Sequence, residues 1–159
     1  MKKYSIYFLQ EVHSTIDVEA CWLAEWGYSA IFSSFSSASA GVCVLFNNNF
    51  VFKILRQFSD PAGRFIIVDI ETEDRVLTLV NIYAPNQDTP NFFRDVADHL
   101  RSFECEEICL GGDFNLVLDV TKDKKGGNPV THSKSVMEVK RMMAELDLTD
   151  IWRDLHPDS

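Results

Sequence analysis

Three apolar segments of the sequence end in polar side chains that could bind a phosphate or a metal ion. One of them, Leu110-Gly-Gly-Asp113-Phe-Asn115, carries a carboxylate and an amide two residues apart. In extended backbone such residues point to the same side, so Asp113 and Asn115 would meet at a strand's carboxyl end, where α/β proteins commonly bind ligands. Taken alone, the segment is more simply explained by a tight turn that Asp113 caps.

The second segment, Asn81-Ile-Tyr83-Ala-Pro85, again places two polar groups on one side of a strand. The asparagine amide and the tyrosine hydroxyl can both hydrogen-bond a phosphate. A strand that closes on an aromatic residue and a proline turn explains the same residues equally well. This segment therefore leaves a phosphate-binding and a purely structural interpretation open.

The third segment, Phe8-Leu-Gln-Glu11-Val-His13, places a carboxylate at the end of a buried strand. Glu11 could hold Mg²⁺ through oxygen, the ligand type that this cation prefers. His13 follows two residues later, and we interpret it as a structural histidine in preference to a base. The other histidines are interpreted as surface or structural residues: His99, His132 and His156.

Short strands in the first half, and strands alternating with helices in the second, must position these residues. The predicted strands cover 5–9, 28–32, 41–46, 50–58, 64–71, 75–83 and 107–111, and the predicted helices cover 91–103 and 133–146, after a first helix from Ser14 or Thr15 to Gly27. Periodicity predicts an inward face of Val18, Cys21 and Trp22 in the first helix, with Trp26 as a further candidate, and of Val136, Val139, Met143 and Leu146 in the last. The turns predict two hairpins, one joining 41–46 to 50–58 and one joining 64–71 to 75–83. This order indicates a mixed α/β fold with a largely antiparallel sheet.

The composition is typical of an acidic globular domain. The 159 residues suit a single domain, residues 1–159, with a formal net charge of −9. Such a charge predicts weak, salt-sensitive binding to nucleic acid, although acidic side chains can hold a metal that meets the phosphate. The four cysteines form no Cys-x-x-Cys pair, which favours buried reduced thiols over zinc. We find neither a secretory signal nor an apolar run of about 20 residues, and expect an intracellular protein, nuclear or cytoplasmic, without a membrane span.

In combination, the three segments resemble the endonuclease/exonuclease/phosphatase superfamily. Within it, the chain is most similar to the apurinic-endonuclease-like domain of non-LTR retrotransposons. Three further stretches carry this narrower resemblance: Ala40-Gly-Val-Cys-Val-Leu45, Gly63-Arg-Phe65 and Leu148-Thr-Asp-Ile-Trp-Arg-Asp-Leu-His-Pro157. The resemblance covers nearly the whole chain. It implies an α/β fold of the α+β sandwich type, with two mostly antiparallel sheets flanked by helices.

The resemblance also implies a role for each matching side chain in cleaving a phosphodiester of DNA. Glu11 would be the carboxylate ligand of a catalytic Mg²⁺ or Mn²⁺, and Tyr83 would contact the scissile phosphate. Asp113 would orient or deprotonate the attacking water, and Asn115 would hold that water or stabilise the transition state. The substrate contacts would come from Asn81 and Asn86.

Parts of the family pattern have no counterpart between Met1 and Ser159. Family members begin with a strand whose asparagine helps to bind the metal, and they end in a serine- and aspartate-containing motif and an aspartate–histidine pair. Since a general base or a transition-state stabiliser contributes about 10²–10⁴-fold, we expect an incomplete domain with little turnover. Missing closing strands would uncover a sheet edge, which predicts a homo-oligomer, a rearranged fold or a covering partner.

Two other functions remain open at this point. A non-catalytic remnant that acts as a binding or oligomerising module would explain the missing motifs. A phosphoesterase of the same superfamily that acts on phospholipids or other small molecules would suit the acidic charge. Activity that vanishes in EDTA would separate the enzymes from the remnant, and a choice between plasmid and lipid phosphate would separate the two enzymes.

Overall fold

Seven strands and four helices form in the part of the chain that the structure describes. The structure is a computed structural model and describes residues 4–104, 106–119 and 132–157. The strands are β1 Ile6–Gln10, β2 Ala30–Ser33, β3 Val42–Phe46, β4 Lys53–Ser59, β5 Phe65–Glu71, β6 Val76–Tyr83 and β7 Glu107–Asp113. The helices are α1 Glu19–Trp26, which follows a 3-10 turn at Ile16–Val18, α2 Pro90–Leu100, α3 Ser133–Glu145 and α4 Ile151–Leu155.

The strands divide between two sheets, one with the order β1-β3-β2 and one with the order β4-β5-β6-β7. The pairs are antiparallel except for β6 and β7, which run in parallel. Parallel strands need a crossover connection, and the segment that joins β6 to β7 contains α2. Because β6 and β7 run in the same direction, their carboxyl-terminal residues, Tyr83 and Asp113, lie side by side.

The core of the sandwich contains aliphatic and aromatic side chains from both sheets. Val44 of β3 and Ile66 of β5 are fully buried within one cluster, and Leu79 of β6 belongs to the same cluster. Burying each such aliphatic side chain stabilises the fold by about 1.5–3 kcal/mol. The expected fold class, two mostly antiparallel sheets accompanied by helices, is confirmed.

The second predicted hairpin is also confirmed. β5 pairs with β6 from Phe65 opposite Ile82 to Glu71 opposite Val76. The connection between them closes where the backbone N–H of Thr72 donates to the carbonyl of Arg75 at 2.9 Å. Local turn chemistry and apolar runs on both sides were sufficient signals for this element.

The first predicted hairpin, between 41–46 and 50–58, is wrong. β3 lies between β1 and β2, so these two strands take the hydrogen-bonding groups on both of its edges. β4 therefore pairs with β5 in the other sheet. Aromatic side chains fix the crossing segment, because the ring of Phe52 stacks on that of Phe46 with centroids 4.2 Å apart and lies 5.4 Å from that of Phe50.

Helix α1 is more exposed than its periodicity predicts. Val18, Cys21 and Trp22 are exposed, so the predicted inward face is wrong for these residues. Trp26, the further candidate, is half-buried and supplies a fixed contact, because its indole N–H donates to the carbonyl of Phe46 at 3.0 Å. Because a short helix on the outside of a sandwich needs few contact residues, its apolar periodicity predicts a wider buried face than the helix has.

The cysteines are also less buried than expected. Cys43 is buried in β3, and its burial, together with the charge of Glu19, raises the pKa of its thiol to about 12. Cys21 and Cys109 are exposed, whereas Cys105 lies outside the described residues. The expectation of a buried thiol therefore holds for Cys43 and is wrong for Cys21 and Cys109.

The chain divides into two compact units. The first contains Met1–Ala84 and His99–Asp113, and the second contains Pro85–Asp98 and Phe114–Ser159. Both sheets belong to the first unit. The organisation as one domain over residues 1–159 stays a prediction. Across the described ranges, the helices are all too short or too polar to cross a membrane.

Helix α3 of the second unit buries a partly polar stripe. Its buried residues are Ser135, Glu138, Val139 and Met142. The expected inward face of Val136, Val139, Met143 and Leu146 is therefore correct at Val139, while the other three side chains are only half-buried. An apolar pattern could not predict this stripe, because a carboxylate such as Glu138 is buried only when partners compensate its charge.

Candidate active site

A hydrogen bond between Tyr83 and Glu11 forms the centre of the candidate site. The buried Tyr83 hydroxyl, at the end of β6, donates to a carboxylate oxygen of Glu11, the exposed residue that follows β1. This hydrogen bond raises the pKa of Tyr83 above its ordinary value of 10.0; burial and the charges of Glu11 and Asp113 add to the effect, and Arg64 opposes it. The hydroxyl therefore keeps its proton at neutral pH and orients the carboxylate.

The backbone of Glu11 adopts a left-handed conformation that few residues other than glycine adopt. Its φ is 53°, and that of His13 is 49°. Backbone pairing holds this segment in place, because the N–H of Val12 donates to the carbonyl of Gly41 at 3.1 Å and the N–H of His13 donates to that of Ala40 at 3.0 Å. Such strain persists where the surroundings over-determine it, and it is common at functional sites.

Two glycines allow the chain to approach this segment closely. Gly41 donates its N–H to the carbonyl of Gly63 at 3.0 Å, and both glycines have positive φ, 89° and 68°. A Cβ on Gly63 would lie 2.7 Å from the Cβ of Phe35 and 2.8 Å from the nitrogen of Gly41. A side chain at Gly63 would therefore displace Gly41 and the backbone that accepts hydrogen bonds from Val12 and His13.

Arg64, which follows Gly63 directly, adds a positive charge to the site. Its guanidinium carbon lies 4.8 Å from the centroid of the Tyr83 ring. Its backbone is fixed on both sides, because its N–H donates to the Asp60 carboxylate at 3.1 Å and its carbonyl accepts from the N–H of Tyr83 at 2.7 Å. In the sequence, Arg64 stands out only within the Gly63-Arg-Phe65 stretch, and its position directly before a strand that pairs with β6 is the signal for a site residue.

Asp113 is brought to the same place by a strand that continues through two glycines. β7 extends to Asp113, so the alternative of a tight turn at Gly111-Gly112 is not what forms. Gly112 has a φ of 127°, and a Cβ at this position would overlap the carbonyl oxygen of Ile82. The exposed Asp113 is tied to β6 through its own carbonyl, which accepts from the N–H of Ala84 at 2.8 Å.

Asn81 lies inside the protein, which is a correction to its expected contact with substrate. Its side chain is fully buried. Its amide nitrogen donates to the carbonyls of Leu9 and Cys43, both at 3.0 Å, and its amide oxygen accepts from the Gln10 side chain at 2.7 Å. Both the nitrogen and the oxygen of the amide are therefore hydrogen-bonded within the protein. Asn81 joins β6 to both β1 and β3, and so fixes the strand that leads to Glu11.

The two remaining predicted residues belong to the second unit. Asn86 is exposed, and Asn115 is half-buried with a φ of 50°. The residue between Asp113 and Asn115, Phe114, stacks on Phe93 with ring centroids 6.4 Å apart. The structure thus brings Glu11, Tyr83 and Asp113 together in the first unit, and the catalytic or binding roles of these residues, of Asn86 and of Asn115 stay predictions.

The donor set at Glu11 is compatible with a hard divalent cation. One carboxylate oxygen accepts from Tyr83, and the other makes no hydrogen bond with any described residue. Mg²⁺ usually binds one or two carboxylates and keeps several waters, and it does not require a cage of protein ligands. Within the described ranges, no group of three or more His, Cys, Asp or Glu side chains forms such a cage.

Sequence comparison relates the chain to a transposon protein. No protein-family model matches the chain. It is similar to the 149 kDa protein of transposon TX1 from Xenopus laevis, with 31% identity over 159 residues. This similarity covers 98% of the chain and 12% of the transposon protein, so the chain spans about one eighth of the length of that relative.

Structural comparison relates the chain to solved endonucleases. It is similar to an AP endonuclease from Archaeoglobus fulgidus, with a TM-score of 0.73 and 18% identity over 98% of this chain and 65% of that one. It is also similar to the endonuclease domain of TRAS1, a telomere-specific non-LTR retrotransposon, with a TM-score of 0.57 and 16% identity over 89% of this chain and 58% of that one. The chain thus spans less than two thirds of either structure. The chain therefore has the fold of these endonucleases, and its sequence is similar to that of a transposon protein.

Proposed function

We propose that this chain supplies the metal-binding and water-activating part of a metal-dependent phosphodiesterase, a DNA-nicking endonuclease of the retrotransposon type. The observation that carries the proposal is the convergence of Glu11, Tyr83 and Asp113 at neighbouring strand ends. The similarity to a transposon protein and to solved endonucleases favours DNA as the substrate.

Hydrolysis of a phosphodiester needs an activated water, neutralised phosphate oxygens and a stabilised leaving group. Mg²⁺ or Mn²⁺, held by Glu11, would supply a Lewis acid that neutralises a phosphate oxygen. The Tyr83 hydroxyl keeps the Glu11 carboxylate in one orientation. Its contact with the phosphate is a role that comes from the resemblance to the family. A fixed geometry matters because an oriented group reacts without a further entropic cost.

Asp113 and the two asparagines would complete the reaction. The exposed Asp113 carboxylate at the end of β7 would orient the attacking water or accept its proton. Asn115 would hydrogen-bond that water or the negative charge that develops on the phosphate, and Asn86 would contact the DNA backbone. These three roles come from the resemblance to the family and are part of the proposal.

A supercoiled-plasmid nicking assay with Mg²⁺ and with EDTA tests this proposal. Asp113→Asn is expected to lower the nicking rate by about 10²–10⁴-fold, because an amide cannot accept a proton from water. Glu107→Gln is the matched control, because Glu107 is exposed at the opposite end of the same strand and pairs with Arg75 there. We expect Glu107→Gln to nick at the wild-type rate.

Each outcome of the assay assigns a different function. Nicking that requires Mg²⁺ and is lost in Asp113→Asn supports the endonuclease. Release of phosphate from a phosphoinositide, with intact plasmid in parallel, would replace DNA by a lipid substrate. Binding of DNA without any metal-dependent cleavage would make a non-catalytic binding module the correct description.

The homo-oligomer stays a prediction, and an exposed sheet edge is where two copies of the chain would pair. β4 is an edge strand of the four-stranded sheet, and its Ile54 and Leu55 side chains are 40% and 43% exposed. Apolar edge strands tend to pair with other chains. Sedimentation velocity on the purified chain checks the prediction, and a monomer at all concentrations would contradict it.

A further inference from the structure

Helix α1 is apolar around most of its circumference, and yet none of its residues is buried. Six of its eight residues are Ala, Cys, Leu or Trp. A surface helix of a globular protein normally has one apolar stripe and one polar face, whereas a helix that is apolar all round is normally covered. The composition of α1 therefore predicts a covering element, and the described part of the chain leaves the helix open to solvent.

The three-stranded sheet uses only one side of α1. The ring of Trp22 packs edge-on against that of Phe32 with centroids 6.5 Å apart, and the indole N–H of Trp26 donates to the carbonyl of Phe46 at 3.0 Å. Gly27, with a φ of 78°, ends the helix in a left-handed cap. The helix is therefore fixed in place, and its outer side is preformed for a partner.

The turn before α1 continues the same exposed surface. Ile16 is 79% exposed, and Val18 and Leu23 are each 38% exposed. Together with the exposed Ala20 and Ala24, these residues form what we call the α1 surface. Single exposed apolar side chains are ordinary in proteins, but a contiguous set indicates an interaction site.

The charges around the α1 surface are all negative. Residues 4–52 include four carboxylates and no Lys or Arg, and three of these carboxylates belong to the turn and the helix: Asp17, Glu19 and Glu25. DNA and anionic membranes would be repelled by such a surface. A second copy of the chain, in a symmetric contact, would place the same carboxylates against each other. The charge therefore favours an occupant that is apolar and basic.

We propose that the α1 surface binds an amphipathic helix of a partner protein, apolar on one face and flanked by Lys or Arg. Ala20 and Ala24 are one turn apart and have short side chains, so the partner helix can approach closely, while Ile16 and Leu23 supply apolar contacts. The cations of the partner would meet the exposed carboxylates. This inference is independent of the proposed function, because the α1 surface contains none of the candidate site residues.

A helical peptide of Leu and Lys, with Leu along one face, is the probe. A peptide of the same composition in scrambled order carries the same charge without the apolar face. Each is titrated into the full chain, and the alkylation rate of the exposed Cys21, which lies on α1, is followed by mass spectrometry. The exposed Cys109 of β7 is the internal reference. We expect the patterned peptide to slow alkylation of Cys21 about tenfold at saturation and to leave Cys109 unchanged.

Two pairs of variants separate the α1 surface from general binding to an acidic protein. Ile16→Ala is compared with Val51→Ala, because both side chains are 79% exposed. Glu25→Lys is compared with Glu73→Lys, because both residues are exposed and both replacements change the net charge equally. Ile16→Ala and Glu25→Lys should each weaken peptide binding about tenfold, whereas Val51→Ala and Glu73→Lys should bind nearly as the wild type does. Thermal melting verifies that each variant is folded.

Three results would overturn the inference. The first is equal protection of Cys21 and Cys109, or equal binding of the two peptides. The second is self-association of the chain in sedimentation that Ile16→Ala abolishes, which would make a second copy the occupant. The third is protection of Cys21 by vesicles that contain phosphatidylserine, which would replace the partner helix by a membrane.

Discussion

Two polar clusters of the molecule contain carboxylates and arginines, but they differ in how completely these groups are paired. In the second unit, the buried carboxylate of Glu138 accepts hydrogen bonds from Arg94 at 3.0 Å and from Arg141 at 2.7 Å. In the first unit, the carboxylate of Glu11 accepts from the neutral Tyr83 hydroxyl, and no described arginine pairs with it.

The difference separates a cluster that stabilises the fold from one that can bind a ligand. Burial alone would raise the pKa of Glu138, but hydrogen bonds from Arg141 and Arg94 outweigh burial and lower it. At the site, the Arg64 guanidinium lies over the Tyr83 ring, and none of the described carboxylates forms an ion pair with it. Charges that are positioned but not neutralised by the protein are typical of functional sites.

Among the replacements that compare the two clusters, that of Glu11 should have the largest effect. Glu11→Gln is expected to lower metal-dependent nicking by about 100-fold or more, because an amide is a poor ligand for Mg²⁺. The free energy of unfolding should change little, since Glu11 is exposed. Nicking rates, Mn²⁺ calorimetry and urea denaturation of the same preparations measure these quantities. If Glu11→Gln lowered the free energy of unfolding but left Mn²⁺ binding unchanged, Glu11 would belong to a stabilising cluster and not to a ligand-binding one.

The matching replacement in the other cluster should have the opposite profile. Glu138→Gln is expected to lower the free energy of unfolding by about 2 kcal/mol, because it leaves two arginines without their shared carboxylate. Mn²⁺ binding should be unchanged. The lowered pKa of Glu138 stabilises the fold above the ordinary value of 4.5, and this contribution is lost as the pH falls through the lower folded value. The urea denaturation curves of wild type and Glu138→Gln should therefore converge only when the pH is well below 4.5.

A smaller loss of stability is expected at the start of α3. The Asp88 carboxylate accepts from the backbone N–H of Ser135 at 2.8 Å and from its hydroxyl at 2.7 Å, and the hydroxyl contact chiefly lowers the pKa of Asp88 below 3.8. Asp88→Ala removes this helix cap and should lower the melting temperature by less than Glu138→Gln does. Asp74→Ala, in an exposed turn, is the control and should melt like the wild type.

The smallest effect is expected from the hydroxyl of Tyr83, and it should depend on pH. Tyr83→Phe is expected to lower the free energy of unfolding by about 1 kcal/mol or less, the contribution of a single hydrogen bond. Because the folded pKa of Tyr83 is raised above 10.0, the contribution is fully present below that pH and is lost as the pH rises through the folded value. Urea denaturation in neutral and alkaline buffer measures the difference in stability between wild type and Tyr83→Phe, and ultraviolet titration of the phenol measures the pKa of Tyr83. A stability difference that stays the same in strong alkali would contradict the hydrogen bond to Glu11.

Local signals were sufficient where neighbouring residues form an element by themselves. The β5–β6 hairpin followed from apolar runs around a short polar turn, and the two strands pair as predicted. The same reasoning failed for β3 and β4, which also flank a turn. No residue within 41–58 indicates that β1 and β2 pair with both edges of β3, because those strands lie elsewhere in the sequence.

The sequence by itself determined which side chains stand at strand ends and what chemistry they can perform. Glu11, Tyr83 and Asp113 each stand at the end of an apolar run that predicts a strand, and such runs are local properties of the chain. The tertiary structure decided which ends meet, that Asn81 lies inside the sandwich, and that Arg64 stacks on Tyr83. The physical reason is the separation along the chain: the hydrogen bond between Tyr83 and Glu11 joins residues 72 positions apart, and only the packing of two sheets brings them into contact.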